Sequence, residues 1–127
     1  MRGQPDYVGA WNRARFDELP TSYHPERLSA NESSLFYIFI ESENGPDFTG
    51  TSEDYRGTAR IKGSKLSGFI IFTKQYNKAA IEKGGRKDKM TYKAVRTAIG
   101  NPDEEFFAGL ITSEKADPLP FIMKSLT

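Results

Sequence analysis

Three short stretches are apolar at every position instead of every second one: Leu35 to Ile40, Gly68 to Phe72 and Phe106 to Ile111. Each is too short for a helical pattern, rich in aromatic and β-branched residues, and bounded by turn residues, which predicts strands with apolar side chains on both faces. A freestanding antiparallel sheet keeps one face wet, so these strands need cover on both sides. Turn signals divide the chain into eight strand-sized pieces: Tyr7 to Phe16, Ser34 to Glu41, Asp47 to Thr51, Arg56 to Lys62, Lys65 to Tyr76, Met90 to Ile99, Glu104 to Thr112 and Leu119 to Ser125. Glu43-Asn44-Gly45-Pro46 carries a hairpin-forming Asn-Gly pair, Gly63-Ser64 reads as a second turn, and Gly100 to Asp103 as another break. Connections this short make consecutive strands antiparallel neighbours. Two longer ones interrupt the meander. Asp17 to Ser33 predicts a single helical turn near Pro25 to Leu28, and Asn77 to Lys83 predicts a short helix stopped by Gly84-Gly85.

Eight such strands can close on themselves and so remove exposed sheet edges. The expected fold is therefore all-β, an eight-stranded antiparallel up-and-down barrel, with a two-sheet sandwich as the alternative. The 127 residues fit one domain, 1–127, and nine Phe, six Tyr and one Trp supply enough ring volume to fill a small barrel.

Charge adds little to this picture. With 18 basic and 17 acidic residues, no global field recruits nucleic acid or an anionic membrane. The absence of cysteine removes disulfides and thiol chemistry and agrees with a reducing compartment. No secretory signal pattern or membrane-length apolar run is read from the sequence, and an intracellular location is expected.

Gly9-Ala10-Trp11 resembles the Gly-x-Trp signature of the calycins, the lipocalin, fatty-acid-binding and avidin group of small β-barrels. Phe48-Thr49-Gly50-Thr51 and Gly57-Thr58-Ala59 are similar to the glycine-punctuated strands of avidin-type proteins. The resemblance implies that Trp11 packs across one end of a barrel, with Arg96 the cation expected over it. It does not extend to biotin binding, because Arg13 stands where avidin-like proteins place a ligand-binding Asn.

Motifs for catalysis are missing: no nucleophile elbow, phosphate loop or dinucleotide fingerprint occurs, and no base, nucleophile and orienting partner can be assembled. No enzyme activity, cofactor or metal is expected. The lone His24 reads as an exposed loop residue, and the acidic belt of Glu41, Glu43, Asp47, Glu53 and Asp54 matches no calcium loop and reads as solvated hairpin ends. Arg13, Arg15, Arg60 and Lys74 fall within strands, where any that pointed inward would require a paired carboxylate or hydrogen-bonded partner.

Two functions remain open. The leading one is a non-catalytic accessory or structural module that docks onto other protein subunits, or onto itself, through outward apolar positions. Either phase of the doubly apolar strands can face out, Leu35, Tyr37 and Phe39 or Phe36, Ile38 and Ile40, and Phe69 with Ile71 or Ile70 with Phe72; Phe36, Ile38, Ile40, Ile70, Phe72, Phe107 and Ile111 are assigned to that interface, and the basic loop of Lys78, Lys83, Arg86, Lys87 and Lys89 to an acidic partner. The alternative is a carrier holding a small apolar ligand inside the barrel, lined by Trp11, Tyr37, Phe39, Phe69 and Ile71.

Overall fold

Strand follows strand in sequence order around a cylinder: β1 (Tyr7–Trp11), β2 (Leu35–Asn44), β3 (Asp47–Asp54), β4 (Gly57–Leu66), β5 (Phe69–Tyr76), β6 (Met90–Arg96), β7 (Phe106–Ser113) and β8 (Ala116–Ser125). In this computed structural model, which describes residues 3–13, 15–97 and 104–126, every neighbouring pair is antiparallel and β8 returns to pair with β1. Closure runs from Tyr7 opposite Ser125 to Trp11 opposite Phe121. The barrel is closed, so the sandwich alternative is set aside. A short helix, α1 (Lys78–Glu82), links β5 to β6; the Asn77 side chain caps it by accepting from the Ala80 N–H, and Gly84 follows it with φ near +99°.

The turn expected at Gly63-Ser64 is instead strand. Both residues lie within β4, and the chain reverses at Ser67-Gly68. A Cβ at Gly63 would sit 2.0 Å from the Ile71 carbonyl oxygen, so this glycine lets β4 and β5 approach closely while the sheet coils. The first strand ends at Trp11 instead of Phe16, and β6 ends at Arg96. The break expected at Gly100 to Asp103 lies outside the described residues.

Alternation sends Phe36, Phe48, Phe72, Tyr92 and Phe121 into the lumen, where their rings meet. Phe72 stacks on Tyr92 at 4.7 Å between centroids, Tyr92 meets Phe121 edge-on at 5.1 Å, and Phe36 lies 5.9 Å from Tyr92. Rings from five strands thus cross the interior and fill it.

This reverses the expected docking face. Phe36, Ile38, Ile40, Ile70, Phe72, Phe107 and Ile111 belong to the interior cluster or pack against it. Strand parity is the cause: with Phe36 facing in, Leu35, Tyr37 and Phe39 must face out. Those outward residues are nonetheless buried, at no more than 4 % exposure. Their cover comes from residues 15–34, a strap with three single 3-10 turns at Phe16–Glu18, Pro25–Arg27 and Ala30–Glu32. Leu19, Phe16, Tyr23 and Leu28 of the strap pack against Val8, Ala10, Leu35, Tyr37, Phe39 and Ile122. Tyr23 stands edge-on to Tyr37 and Phe39, its hydroxyl donates to Glu53 at 2.5 Å, and the His24 N–H donates to the Tyr37 hydroxyl at 3.0 Å. The doubly apolar β2 therefore finds its second cover within its own chain.

Candidate functional site

Two inward charged residues interrupt the lumen near the end where β1 terminates. Lys74 on β5 and Asp54 at the end of β3 are 1 % and 4 % exposed, and the Lys74 ammonium donates to Asp54 Oδ2 at 2.8 Å. The ammonium also donates to the hydroxyls of Tyr76 at 3.2 Å and Tyr92 at 3.4 Å, which uses its three protons. Tyr76 in turn donates to Asp54 Oδ2 at 2.5 Å, and the Trp11 indole N–H donates to the Tyr92 hydroxyl at 2.9 Å. Asp54 Oδ1 accepts from the backbone N–H of Arg56 at 2.8 Å. Each charge is paired and hydrogen-bonded, the condition on which a barrel interior tolerates ions.

Aromatic faces complete the cage. The Lys74 nitrogen lies 4.8 Å from the Trp11 ring centre and 4.5 Å from that of Tyr76, within the range at which a ring quadrupole attracts a cation. Lys74 thus takes the position over Trp11 that the calycin resemblance assigned to Arg96; Arg96 is exposed, at the end of β6. Asp54, expected among solvated hairpin ends, is buried because β3 runs three residues further than the turn signals implied.

Burial opposes the Lys74 charge, but Tyr92, Asp54 and Tyr76 around it outweigh that effect and hold its proton more tightly than in an ordinary lysine. Burial also raises the pKa of Tyr76 and of Tyr92, so both stay neutral. A protonated amine has no lone pair for nucleophilic or base chemistry, and the group acts here as a structural cation. All three pKa shifts lie above the unfolded values, near 10.5 for Lys and 10.0 for Tyr, so above about pH 10 the unfolded chain releases protons that the folded one keeps. Urea midpoints should accordingly stay level from pH 7 to 9 and fall steeply beyond pH 10; a midpoint that holds to pH 11.5 contradicts the paired-cation assignment.

Above this cage the barrel opens into a cleft of about 740 Å³. Its lining combines the rings of Trp11 and Tyr76, the apolar side chains of Met90, Ile111 and Leu119, and the basic ones of Arg13, Arg56 and Arg86, with Asp117 and several small polar residues among them. Arg13 is paired with Glu18 at 2.9 Å and Arg86 with Asp88 at 3.1 Å. The Arg56 guanidinium makes no hydrogen bond or ion pair with a described residue.

The other residues singled out in the sequence are dispersed. Of the proposed lumen lining only Trp11 lies at the cleft; Tyr37 and Phe39 are under the strap, and Phe69 and Ile71 are half-buried on the outside of β5, opposite in parity to Ile70 and Phe72. Of the basic loop only Arg86 reaches the cleft, while Lys78, Lys83, Lys87 and Lys89 face solvent. His24 is half-exposed between Ser22 and Glu26. On the outer face of β5 to β7, Phe69 pairs with Val95, and Lys93 sits between Ile71 and Leu110; Val95 and Leu110 are about half exposed, at 57 % and 49 %. No helix among the described residues is long and apolar enough to cross a membrane.

No family model, curated protein or solved structure matches this chain. The geometry of the cleft therefore bears the functional argument.

Proposed function

We propose that this chain is a non-catalytic binding module of calycin-like build that takes a small, apolar-bodied ligand at the barrel mouth and not in the lumen. The observation that carries this reading is the division of labour within the barrel. Aromatic rings fill the lumen and a neutralised ion pair closes it, whereas the cleft above is lined by aromatic, apolar and basic side chains together. Its volume lies in the range of small-molecule sites, which are mostly apolar with a few convergent polar groups. The sheltered face of β2 weakens the docking reading, since the strap already covers it. What stays apolar on the outside is a row from Leu66 through Phe69 to Val95, with Lys93 between Ile71 and Leu110 in the row beside it.

Trp11 is the chain's one tryptophan and lines the cleft, so its emission reports directly on occupancy. Titration with 1-octanol should shift or quench Trp11 emission saturably, and Leu119→Glu should weaken the response at least tenfold while leaving the urea midpoint within the range of a half-exposed substitution. Full-strength binding in Leu119→Glu, or no saturable response in the parent, overturns the mouth reading.

A further inference from the structure

Independently of the mouth reading, we propose that the outer wall of β4 to β7 docks onto an anionic lipid bilayer, with the end of the barrel remote from the cleft directed into the membrane. Uncovered apolar surface is where the inference starts. Leu35, Tyr37 and Phe39 find their second cover in the strap, and Phe106 is covered by Phe16. Phe69, Ile71 and Leu110, the outward residues of the other doubly apolar stretches, lie outside that cover. Of the four large hydrophobic residues exposed among the described ones, three stand on this wall: Leu66, Val95 and Leu110, at 54 %, 57 % and 49 %.

Strand register sets the wall out in rows. The first, Leu66, Phe69, Val95 and Ala108, is wholly apolar, and the second, Ser64, Ile71, Lys93 and Leu110, admits one cation. The third, Lys62, Thr73, Thr91 and Thr112, is polar, and Arg60 with Gln75 begins a fourth. Successive rows lie about 7 Å apart, two residues along a strand. Apolar character thus gives way to positive charge in one direction, on the scale of the roughly 5–10 Å by which interfacial segments sink into the boundary between headgroups and acyl chains. A protein hot spot follows another plan, an apolar centre ringed by polar groups. The graded wall matches a bilayer.

Charge selects the lipid. Arg60, Lys62 and Lys93 are exposed and make no ion pair with a described residue, and among the described residues no outward position of β4 to β7 carries a carboxylate. Asp47, across the ladder on β3, accepts from the Ser64 hydroxyl. At the end of the barrel Glu105 is engaged by Lys65, and Glu104 lies with Lys124 beside the strap. The wall is therefore locally positive although the net charge of the chain is only +1, and lysine stems can lie along the apolar rows while their ammonium groups reach lipid phosphates. A second copy fits less well, because a two-fold contact sets the basic wall against itself. Since β4 runs from the mouth at Gly57 to Leu66, the first row is at the far end and the cleft stays in water.

The test is flotation of the full chain with vesicles of phosphatidylcholine, alone or with about a third phosphatidylserine, in about 0.1 M salt. Binding to the anionic vesicles should be at least tenfold tighter than to the neutral ones and should weaken in about 0.5 M salt. Lys62→Gln combined with Lys93→Gln should reduce anionic-vesicle affinity at least tenfold. Leu66→Glu combined with Val95→Glu should abolish it, with a urea midpoint close to the parent's; Val95→Thr, which keeps the β-branched shape, should weaken it severalfold and serves if the double variant does not fold. Loss of the 1-octanol response in the parent strikes only the mouth reading, and its survival in the wall variants separates the two sites. Failure of the anionic vesicles to float the chain overturns the proposal and leaves the wall to a protein partner. Equal binding to neutral vesicles, or unchanged binding by the folded Leu66 and Val95 variants, overturns it as well. So does a parent dimer in sedimentation that Val95→Glu dissociates, which assigns the wall to a second copy.

Discussion

Replacing Lys74 by Met should lower the stability of the barrel by about 3–5 kcal/mol, the cost of stranding a buried carboxylate without its counter-ion. Lys74 and Asp54 are almost wholly enclosed, so water cannot reach Asp54 to replace the lost partner. A companion variant separates charge from shape. Lys74→Met combined with Asp54→Leu removes both ions, and it should recover a large part of the single variant's loss, because apolar pairs of similar volume often substitute for buried ion pairs without penalty. Urea unfolding of the two singles and the double closes the cycle. Additive losses, with no recovery in the double variant, would show that the pair is not energetically coupled and would remove the basis for treating it as the mouth's foundation.

The second large effect is expected at Gly109, midway along β7. A Cβ there would lie 1.8 Å from the Lys93 carbonyl oxygen and 2.5 Å from the Ala94 Cα. Those are backbone atoms of the neighbouring strand β6, and they cannot swing aside as a side chain would. Gly109→Ala should force the two strands apart and cost roughly 2–4 kcal/mol, at or above the upper end of ordinary overpacking. The same change at Gly45, in a turn where a Cβ would meet nothing within 4 Å, has only the backbone preference of its φ near +62° to overcome and should cost about 1 kcal/mol. Thermal denaturation of the two variants side by side checks the contrast, and equal losses would refute the close-approach explanation.

The barrel was legible because each strand is short and bounded by turn residues, and because Asn77 and Gly84 mark the ends of α1 in the expected way. Facing was not legible. In β2 both parities are equally apolar from Leu35 to Ile40, so the pattern that reveals the strand removes the alternation that would orient it. The turn at Pro25–Arg27 was legible, but the strap's covering role was not, for a related reason: residues 15–34 carry no long period, only separated anchors at Phe16, Leu19, Tyr23 and Leu28. Lys74 shows what a sharper signal looks like. It stands two residues from Phe72 and from Tyr76, in phase with Ile70, so an inward lysine follows once the apolar phase of β5 is trusted over charge. Its partner had no such mark. Asp54 precedes Tyr55-Arg56-Gly57 at a hairpin, where aspartate is common for local reasons, and only the register between β3 and β5 brings the two charges together. The cleft required that same three-dimensional information, since Arg13, Arg56 and Arg86 come from separate connections.

The strap also bears on how the cylinder gives way. β1 is five residues long, the shortest of the strands, yet it supplies both edges of the seam, to β2 and to β8. Its outer face depends on the strap for shelter, so peeling that segment wets one side of the seam while the other six ladders keep their pairing. Amide exchange in β1 and the strap then proceeds as one cooperative unit, ahead of global opening, as a hoop parts first at its clasp.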